Sequence, residues 1–494
     1  MVKAVVGEEV QLKLAEERLT KSGLAAQIGL VIGKLSSSLD RGFIFDLVPT
    51  PLCDSGEPAC SIISGAKDDR KKGSKGKTQA DSSSLFVDKD WVAEHARQVA
   101  RMLLGGVKVV GIYIWASDSS IKNSMLTICQ TIQAVAKATP VLDVNFDERL
   151  LVHICYSPMR WTTRNCSLAS NITSTSLRPC DFKMGKVFAS LQTFRCRYAL
   201  DVRFPIFRED GSKNIRLVDV LRHCISHLAK ELRCGKALID GKLAIGNEQV
   251  AASDGVHDVK FLLPFMQDKF DGCSQKDIIG GLVFTGAICC FAYVNVKEQL
   301  SQVLTDIKED IILSLQSRLD IMCDAAERES EAIDGSVGEE ARDHVSTEEP
   351  FLLLPLQLQR KSCKLMFPRR VFLPWLANIY VCDYLQPSET VEVLKDHYAE
   401  LMSIEVPVDL SKVLEPESEA PTFVSSATTN KQQPFWDMMN RKYTNITTHE
   451  ETKGLRSDPK SKNLSPLNMM IPLFVLILSL IVGVVVTTFV VRSS

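Results

Sequence analysis

Apolar runs of two kinds recur along this chain, and their periods differ. Residues 28–33 (IGLVIG) and 42–48 (GFIFDLV) are short and nearly unbroken, divided by a serine-rich turn, which predicts a β-hairpin. Residues 50–84 are rich in Pro, Gly, Ser and Lys and predict a long disordered loop. Asp88 or Asp90 then caps a helix whose Val92, Ala96, Val99 and Leu103 share one face. Gly105-Gly106 stops it, because glycine adopts the left-handed conformation that helix ends use. The run VKVVGIYIWA that follows predicts a central strand from its β-branched and aromatic content. A helix over 121–137 and a strand over 150–156 (LLVHICY) complete a layered α/β unit spanning residues 1–200.

A second α+β unit is expected over 195–323. Its strands are 196–206 (CRYALDVRFPI) and 281–296 (GLVFTGAICCFAYVNV), with helix 217–233 between them. Residues 298–323 carry Leu300, Leu304, Ile307, Ile311, Leu315, Leu319 and Met322 on one stripe, the signature of a helix packed on a sheet. From 324 to 350 acidic residues far outnumber Arg328 and Arg342, which predicts a disordered linker. Residues 351–404 complete the body with two strands around Pro374 (369–385) and a helix capped by Ser388 that presents Val391, Leu394, Tyr398 and Leu401. The stretch 405–467 has little periodicity and predicts a flexible tether. The fold class is therefore mixed α+β, with linkers and one C-terminal transmembrane helix.

That helix is expected over 468–491, in the uncharged run MMIPLFVLILSLIVGVVVTTFVV. Met469, Ile471, Leu473, Phe474, Leu476, Leu478, Leu480, Val482, Val484, Phe489 and Val491 form its apolar surface. At ~1.5 Å rise per residue it would reach about 34 Å, enough to cross a hydrocarbon core. The N-terminal MVKAVVGEEVQLKLAEE contains no apolar core of signal-peptide length, so the reading expects a tail-anchored protein. Lys453, Arg456, Lys460 and Lys462 precede the span and Arg492 follows it, which keeps residues 1–468 cytosolic. The sequons at Asn165, Asn171, Asn445 and Asn463 would then never meet the glycosylation machinery.

Composition narrows the function classes. A net charge of −2 excludes a global field that recruits nucleic acid. The basic run KDDRKKGSKGK (Lys67 to Lys77) lacks aromatics for base stacking and reads as a solvated loop. The 15 cysteines include no C-x-x-C pair and lie largely in apolar runs, as Cys155, Cys289, Cys290 and Cys382 do, which fits buried thiols in a reducing compartment.

No nucleophile elbow, Walker loop, dinucleotide fingerprint or zincin motif is present, so no catalytic set, cofactor or metal is expected. His223 and His227 lie four apart on a predicted helix but have no third ligand in the sequence pattern. A Cys–His nucleophile stays open as a remote alternative, since no local pattern selects one pair. Glu94, His95 and His153 read as helix-surface and strand-end residues.

Three segments together resemble the odorant-response family named for the nematode odr-four protein. They are IGLVIG with Gly29 and Gly33; WVAEHARQV and RMLLGGVKVVG with Trp91, His95, Gly105, Gly106 and Gly111; and RVFLP with VCDY, containing Pro374, Cys382, Asp383 and Tyr384. The resemblance implies a non-enzymatic adaptor of the endoplasmic reticulum membrane. Relatives are associated with holding the cysteine protease specific for the ubiquitin-fold modifier at that membrane. They are also associated with folding and delivery of G-protein-coupled receptors, a chaperone role that stands as the alternative.

A fold-level resemblance to the start of MPN/JAMM domains is carried by the G-L-x-x-G strand, the long helix and the strand containing V-V-G-x-Y. Active members place a His-x-His pair beyond that strand to hold zinc. Here the stretch is Tyr113-Ile114-Trp115-Ala116-Ser117-Asp118, so the resemblance implies an inactive, partner-binding copy.

Overall fold

The computed structural model of the protein describes residues 2–36, 38–63, 83–139, 148–168, 172–207, 216–250, 255–263, 278–336, 363–403, 409–417 and 420–427. In chain order the first part holds strand β1 (Ala4–Glu8), helix α1 (Glu9–Lys21), β2 (Gln27–Ser36), β3 (Arg41–Pro49), β4 (Cys60–Ile63) and β5 (Ser84–Val87). There follow α2 (Lys89–Met102), β6 (Lys108–Trp115), α3 (Asp118–Asn123), α4 (Met125–Ala138), β7 (Glu148–Tyr156), β8 (Met159–Ser167) and β9 (Arg178–Gly185).

The predicted hairpin is β2–β3, antiparallel with Leu30 opposite Val48. Seven strands close into a barrel in the order β1-β3-β2-β6-β7-β8-β9. Closure comes from β1, which pairs in parallel with both β3 and β9. Strands β6 and β7 are also parallel, joined through α3 and α4, as a parallel pair requires a helical crossover. Both faces of β6 are buried, which explains its continuous apolar run. Val110, Tyr113 and Trp115 pack with Leu12, Ala15 and Leu19 of α1, whereas Ile112 and Ile114 pack with Val92 and Val99 of α2 and Ile128 and Ile132 of α4.

The second part contains β10 (Leu191–Phe207), α5 (Leu217–Cys234), β11 (Lys236–Ile239), β12 (Lys242–Leu243), β13 (Val256–Leu262), β14 (Ile278–Asn295) and α6 (Leu300–Ser336). It ends with β15 (Cys363–Met366), β16 (Arg369–Leu376), β17 (Ile379–Leu385), α7 (Val393–Met402) and β18 (Thr422–Ala427). A seven-stranded sheet has the order β12-β11-β13-β10-β14-β18-β15, and β16–β17 is a separate hairpin. Strand β14 serves two cores at its strand period of two. Ile288, Cys290, Ala292 and Val294 join the core beneath α5 and α6, while Cys289, Phe291 and Tyr293 join that of α2 and the β16–β17 hairpin. Phe291 meets Phe372 edge-to-face at 5.0 Å, a geometry aromatic pairs favour.

Several expectations are corrected. The loop expected over 50–84 contains β4, which pairs with β5; residues 64–82 lie outside the described residues. The helix expected over 121–137 is two helices, α3 and α4, meeting at Ser124. The acidic stretch from 324, read as a disordered linker, continues α6 to Ser336. Pro374 lies inside β16, and the turn falls at Ala377, whose φ is +46°. Helix α7 starts at Val393 with Glu392, not Ser388, at its N-cap, and buries Leu394, Tyr398 and Met402. The stretch 405–467, read as a tether, contributes β18 to the large sheet, pairing with both β14 and β15. Among the described residues no helix is long and apolar enough to cross a membrane. The stretch 468–491 and its anchor residues lie outside them.

Candidate functional site

Helix α2 organises the residues that the family resemblance singled out. Asp88 caps it, accepting from the backbone N–H of Asp90 and Trp91, so the first-turn donors are satisfied. The Trp91 indole N–H donates to the carbonyl of Pro51 at 3.0 Å. One turn on, His95 Nε2–H donates to the carbonyl of Leu401 in α7 at 2.8 Å. Because a carbonyl only accepts, Nε2 carries the proton, and Nδ1 is buried without a partner. His95 is only 4% exposed, which departs from the helix-surface position expected for it, and His153, expected at a strand end, is 7% exposed within β7. Glu94 does face outward, paired with Arg97 at 2.7 Å.

Burial lowers the His95 pKa to about 4, partly opposed by the Leu401 hydrogen bond. A depressed base stabilises the fold above its unfolded pKa near 6.5, and that contribution disappears as pH falls towards 4. Unfolding free energy is therefore expected to drop by about 2 kcal/mol between pH 7.5 and pH 5 from this residue alone. Urea titrations of wild type and His95→Gln at both pH values check it. A variant that keeps the full pH dependence removes His95 as its source.

The motif residues of the β16–β17 hairpin meet the same region, whereas Gly29, Gly33 and Gly111 lie among the barrel strands. Cys382 Sγ–H donates to the carbonyl of Arg101 at 3.4 Å, and Tyr398 Oη–H to that of Pro374 at 2.7 Å. Asp383 pairs with His397 at 3.1 Å, while the buried Tyr384 ring lies beside both Arg318 and Arg370. Gly29, Gly33 and Gly111 sit where neighbouring strands leave no room for a Cβ. Gly105 and Gly106 have φ of +35° and +88°, and their turn is wedged between β14 and α6. The motif residues thus join α2, the turn after it, the β16–β17 hairpin and α7.

Helix α6 carries a second stripe beside its apolar one. Asp306, Asp310, Ser314 and Arg318 recur at four-residue spacing, and all are buried. Lys34 of β2 meets Asp306 at 2.5 Å and Glu298 at 3.7 Å. Burial by itself would discharge Lys34, but the two carboxylates outweigh it and keep the ammonium charged. Arg370 of β16 forms a forked pair with Asp310 at 2.9 and 2.8 Å. Arg318 Nη2 donates to both oxygens of Glu417 at 2.8 Å, while its Nη1 donates to the carbonyl of Pro368 at 3.0 Å. Glu417 also accepts from the backbone N–H of Cys289 and Arg370, both at 2.9 Å. These pairs tie segments distant in sequence, and sequence reasoning missed all of them. A strand arginine flanked by apolar residues, as in RRVFLPW, is the one local signal.

A cavity of ≈ 350 Å³ opens between the Gly105-Gly106 turn and the middle of α6. Leu103, Leu104, Val107 and Leu313 supply its apolar wall. Arg101 and Lys108 stand at the rim, paired with Asp324 at 3.2 Å and Glu309 at 2.8 Å. Burial raises the thiol pKa of Cys60, Cys166, Cys196 and Cys224 to about 12, which leaves them protonated at neutral pH. Of the two histidines expected as a helical pair, His223 is exposed and His227 lies against Glu231 at 3.5 Å.

Comparison with known proteins places these observations in a family. The model of the odorant response abnormal 4-like family (ODR4-like) matches residues 29–413. The chain is similar to the protein odr-4 homolog of Dictyostelium discoideum, 24% identical over 394 residues, covering 78% of this chain and 77% of that protein. The homolog of Mus musculus is 24% identical over 353 residues, with 67% and 71% covered. That of Homo sapiens is 23% identical over 371, with 70% and 75% covered. Among solved structures, the crystal structure of UfSP from C. elegans matches with a TM-score of 0.37 at 9% identity. That match covers 85% of this chain and 60% of the other, a likeness too slight to carry an argument.

Proposed function

This chain belongs to the odorant response abnormal 4-like family, and from that premise we propose that it is a tail-anchored, non-enzymatic adaptor. Its body recruits a soluble partner to the endoplasmic reticulum membrane from the cytosolic side. The partner class follows the family resemblance: the cysteine protease specific for the ubiquitin-fold modifier. The observation that carries the reading is the uncharged run from Met469 to Val491 on a chain whose family is otherwise matched through its body.

The internal chemistry supports it. Two buried arginines are consumed by carboxylates, Arg318 by Glu417 and Arg370 by Asp310. On the same reading the barrel is an inactive MPN-type domain, whose stretch Tyr113 to Asp118 has no histidine where active members carry a His-x-His pair. Tethering raises a captured partner's local concentration without any new contact. Roughly 40 residues follow β18 before the apolar run, and a random coil of that length spans about 35 Å.

Membranes bearing the full chain, or a chain lacking residues 469–494, test this directly. The full chain is expected to resist alkaline carbonate and to bring down the protease in stoichiometric amount. The shortened chain is expected to be released while still binding the protease. Release of the intact chain defeats the anchor, and a full chain that recovers no protease defeats the adaptor. Exchanging the span for an unrelated one leaves an adaptor intact; loss of activity on that exchange favours the receptor chaperone.

A further inference from the structure

The parallel pairing of β6 with β7 brings together three side chains that the sequence keeps apart. Ile114 lies opposite His153 and Trp115 opposite Ile154, so the chain leaving β6 for α3 passes beside the end of β7. His153 and Cys155, two apart on β7, share a face. Asp118, at the start of α3, meets them there. One donor atom from each of Asp118, His153 and Cys155 lies within 4.8 Å of the others.

We propose that Asp118, His153 and Cys155 form a binding site for one zinc-class divalent ion. The site goes beyond the adaptor reading. One nitrogen, one sulfur and one oxygen donor suit Zn²⁺ and disfavour Mg²⁺ or Ca²⁺, which require oxygen. In a tetrahedral zinc site with bonds of about 2.0–2.3 Å the donors stand about 3.3–3.8 Å apart. The His153 Nδ1 to Asp118 Oδ1 separation is 3.8 Å, so small rotations of the side chains close the site.

The surroundings fix each donor. His153 Nε2–H donates to the carbonyl of Ala116 at 3.0 Å, which sets the tautomer and leaves the Nδ1 lone pair facing Asp118. The same bond occupies Nε2, so Nδ1 is the ring nitrogen left to face the site. Arg160 holds Asp118 Oδ2 at 2.6 Å, leaving Oδ1 directed at the ring. The Thr162 hydroxyl lies 3.5 Å from Nδ1, and Cys155 Sγ–H points to the carbonyl of Ser157 at 3.6 Å. Cys155 is fully buried, whereas the Asp118 side chain is 40% exposed, so an ion and a fourth, water ligand enter from the Asp118 side.

Titration of the detergent-solubilised, metal-stripped full chain with Co²⁺ tests the site. The expected result is one equivalent bound with a thiolate-to-cobalt charge-transfer band that Zn²⁺ abolishes. Cys155→Ser is expected to lose the band, and Cys53→Ser to keep it. Asp118→Asn and His153→Gln are expected to weaken Zn²⁺ binding at least roughly tenfold, since even outer-shell changes cost 10–100-fold. X-ray absorption of the zinc-loaded wild type needs no variant to fold, and should show one sulfur at about 2.3 Å among lighter donors. An all-nitrogen and oxygen shell overturns the proposal. So does a band undiminished in Cys155→Ser, or Zn²⁺ affinity unchanged in both other variants.

Discussion

Glu417→Ala is expected to lower the unfolding free energy of the folded body by about 3–5 kcal/mol, the cost of leaving a buried charge without its partner. Glu417 and Arg318 are both inaccessible to solvent, so water cannot replace the lost carboxylate. Two backbone donors, the N–H groups of Cys289 and Arg370, lose their acceptor at the same time. Arg318→Met should cost a comparable amount by stranding the carboxylate instead. The double variant is expected to lose clearly less than the sum, because the two charges leave together and the partners left behind are uncharged. Urea unfolding of the four proteins measures the coupling. A loss below about 1 kcal/mol for Glu417→Ala, in the range of exposed ion pairs, refutes the buried pair.

Gly105→Ala is expected to cost about 2–5 kcal/mol through two separable effects. Its φ of +35° is unfavourable for any L side chain, at roughly 1–2 kcal/mol. Its new Cβ would also meet the backbone of Phe291 and Ala292 on β14, and such overpacking costs about 1–3 kcal/mol. Gly23 supplies the control, since its φ is +65° but a Cβ there meets nothing within 4 Å. Gly23→Ala should therefore show the backbone cost alone. Equal losses in the two variants, read from the urea midpoint, would mean that the turn does not press against β14.

The elements that sequence reasoning placed well share a physical property: each was set by local chemistry. The β2–β3 hairpin follows from two apolar runs around a turn, and the start of α2 from the Asp88 carboxylate capping its own first turn. Errors came where a long-range partner overrode composition. The acidic stretch after 324 looked too polar to fold, yet Asp324 lies in α6 and meets Arg97 and Arg101. The stretch after 405 looked like a tether, yet Glu417 neutralises an arginine a hundred residues earlier and β18 fills a place in the sheet. His95 looked like a surface residue because its side chain is polar, yet Trp91, Val92 and Val99 neighbour it on α2 and α7 covers it.

By itself, the order of residues determined the family motifs, the mixed α+β class, the long apolar run at 469–491, the location of most helices and that of the strands β2, β3, β6, β7, β10, β14, β16 and β17. Those follow from periodicity, capping and hydropathy, which act over a few residues. Tertiary structure alone decided that α6 has two buried faces, that β1 closes the barrel, and that Asp118 meets His153 and Cys155. A polar residue at a helical position has the same pattern whether it faces water or a buried partner. Only the chain's return from far away supplies that partner, and with it the sign of the energy.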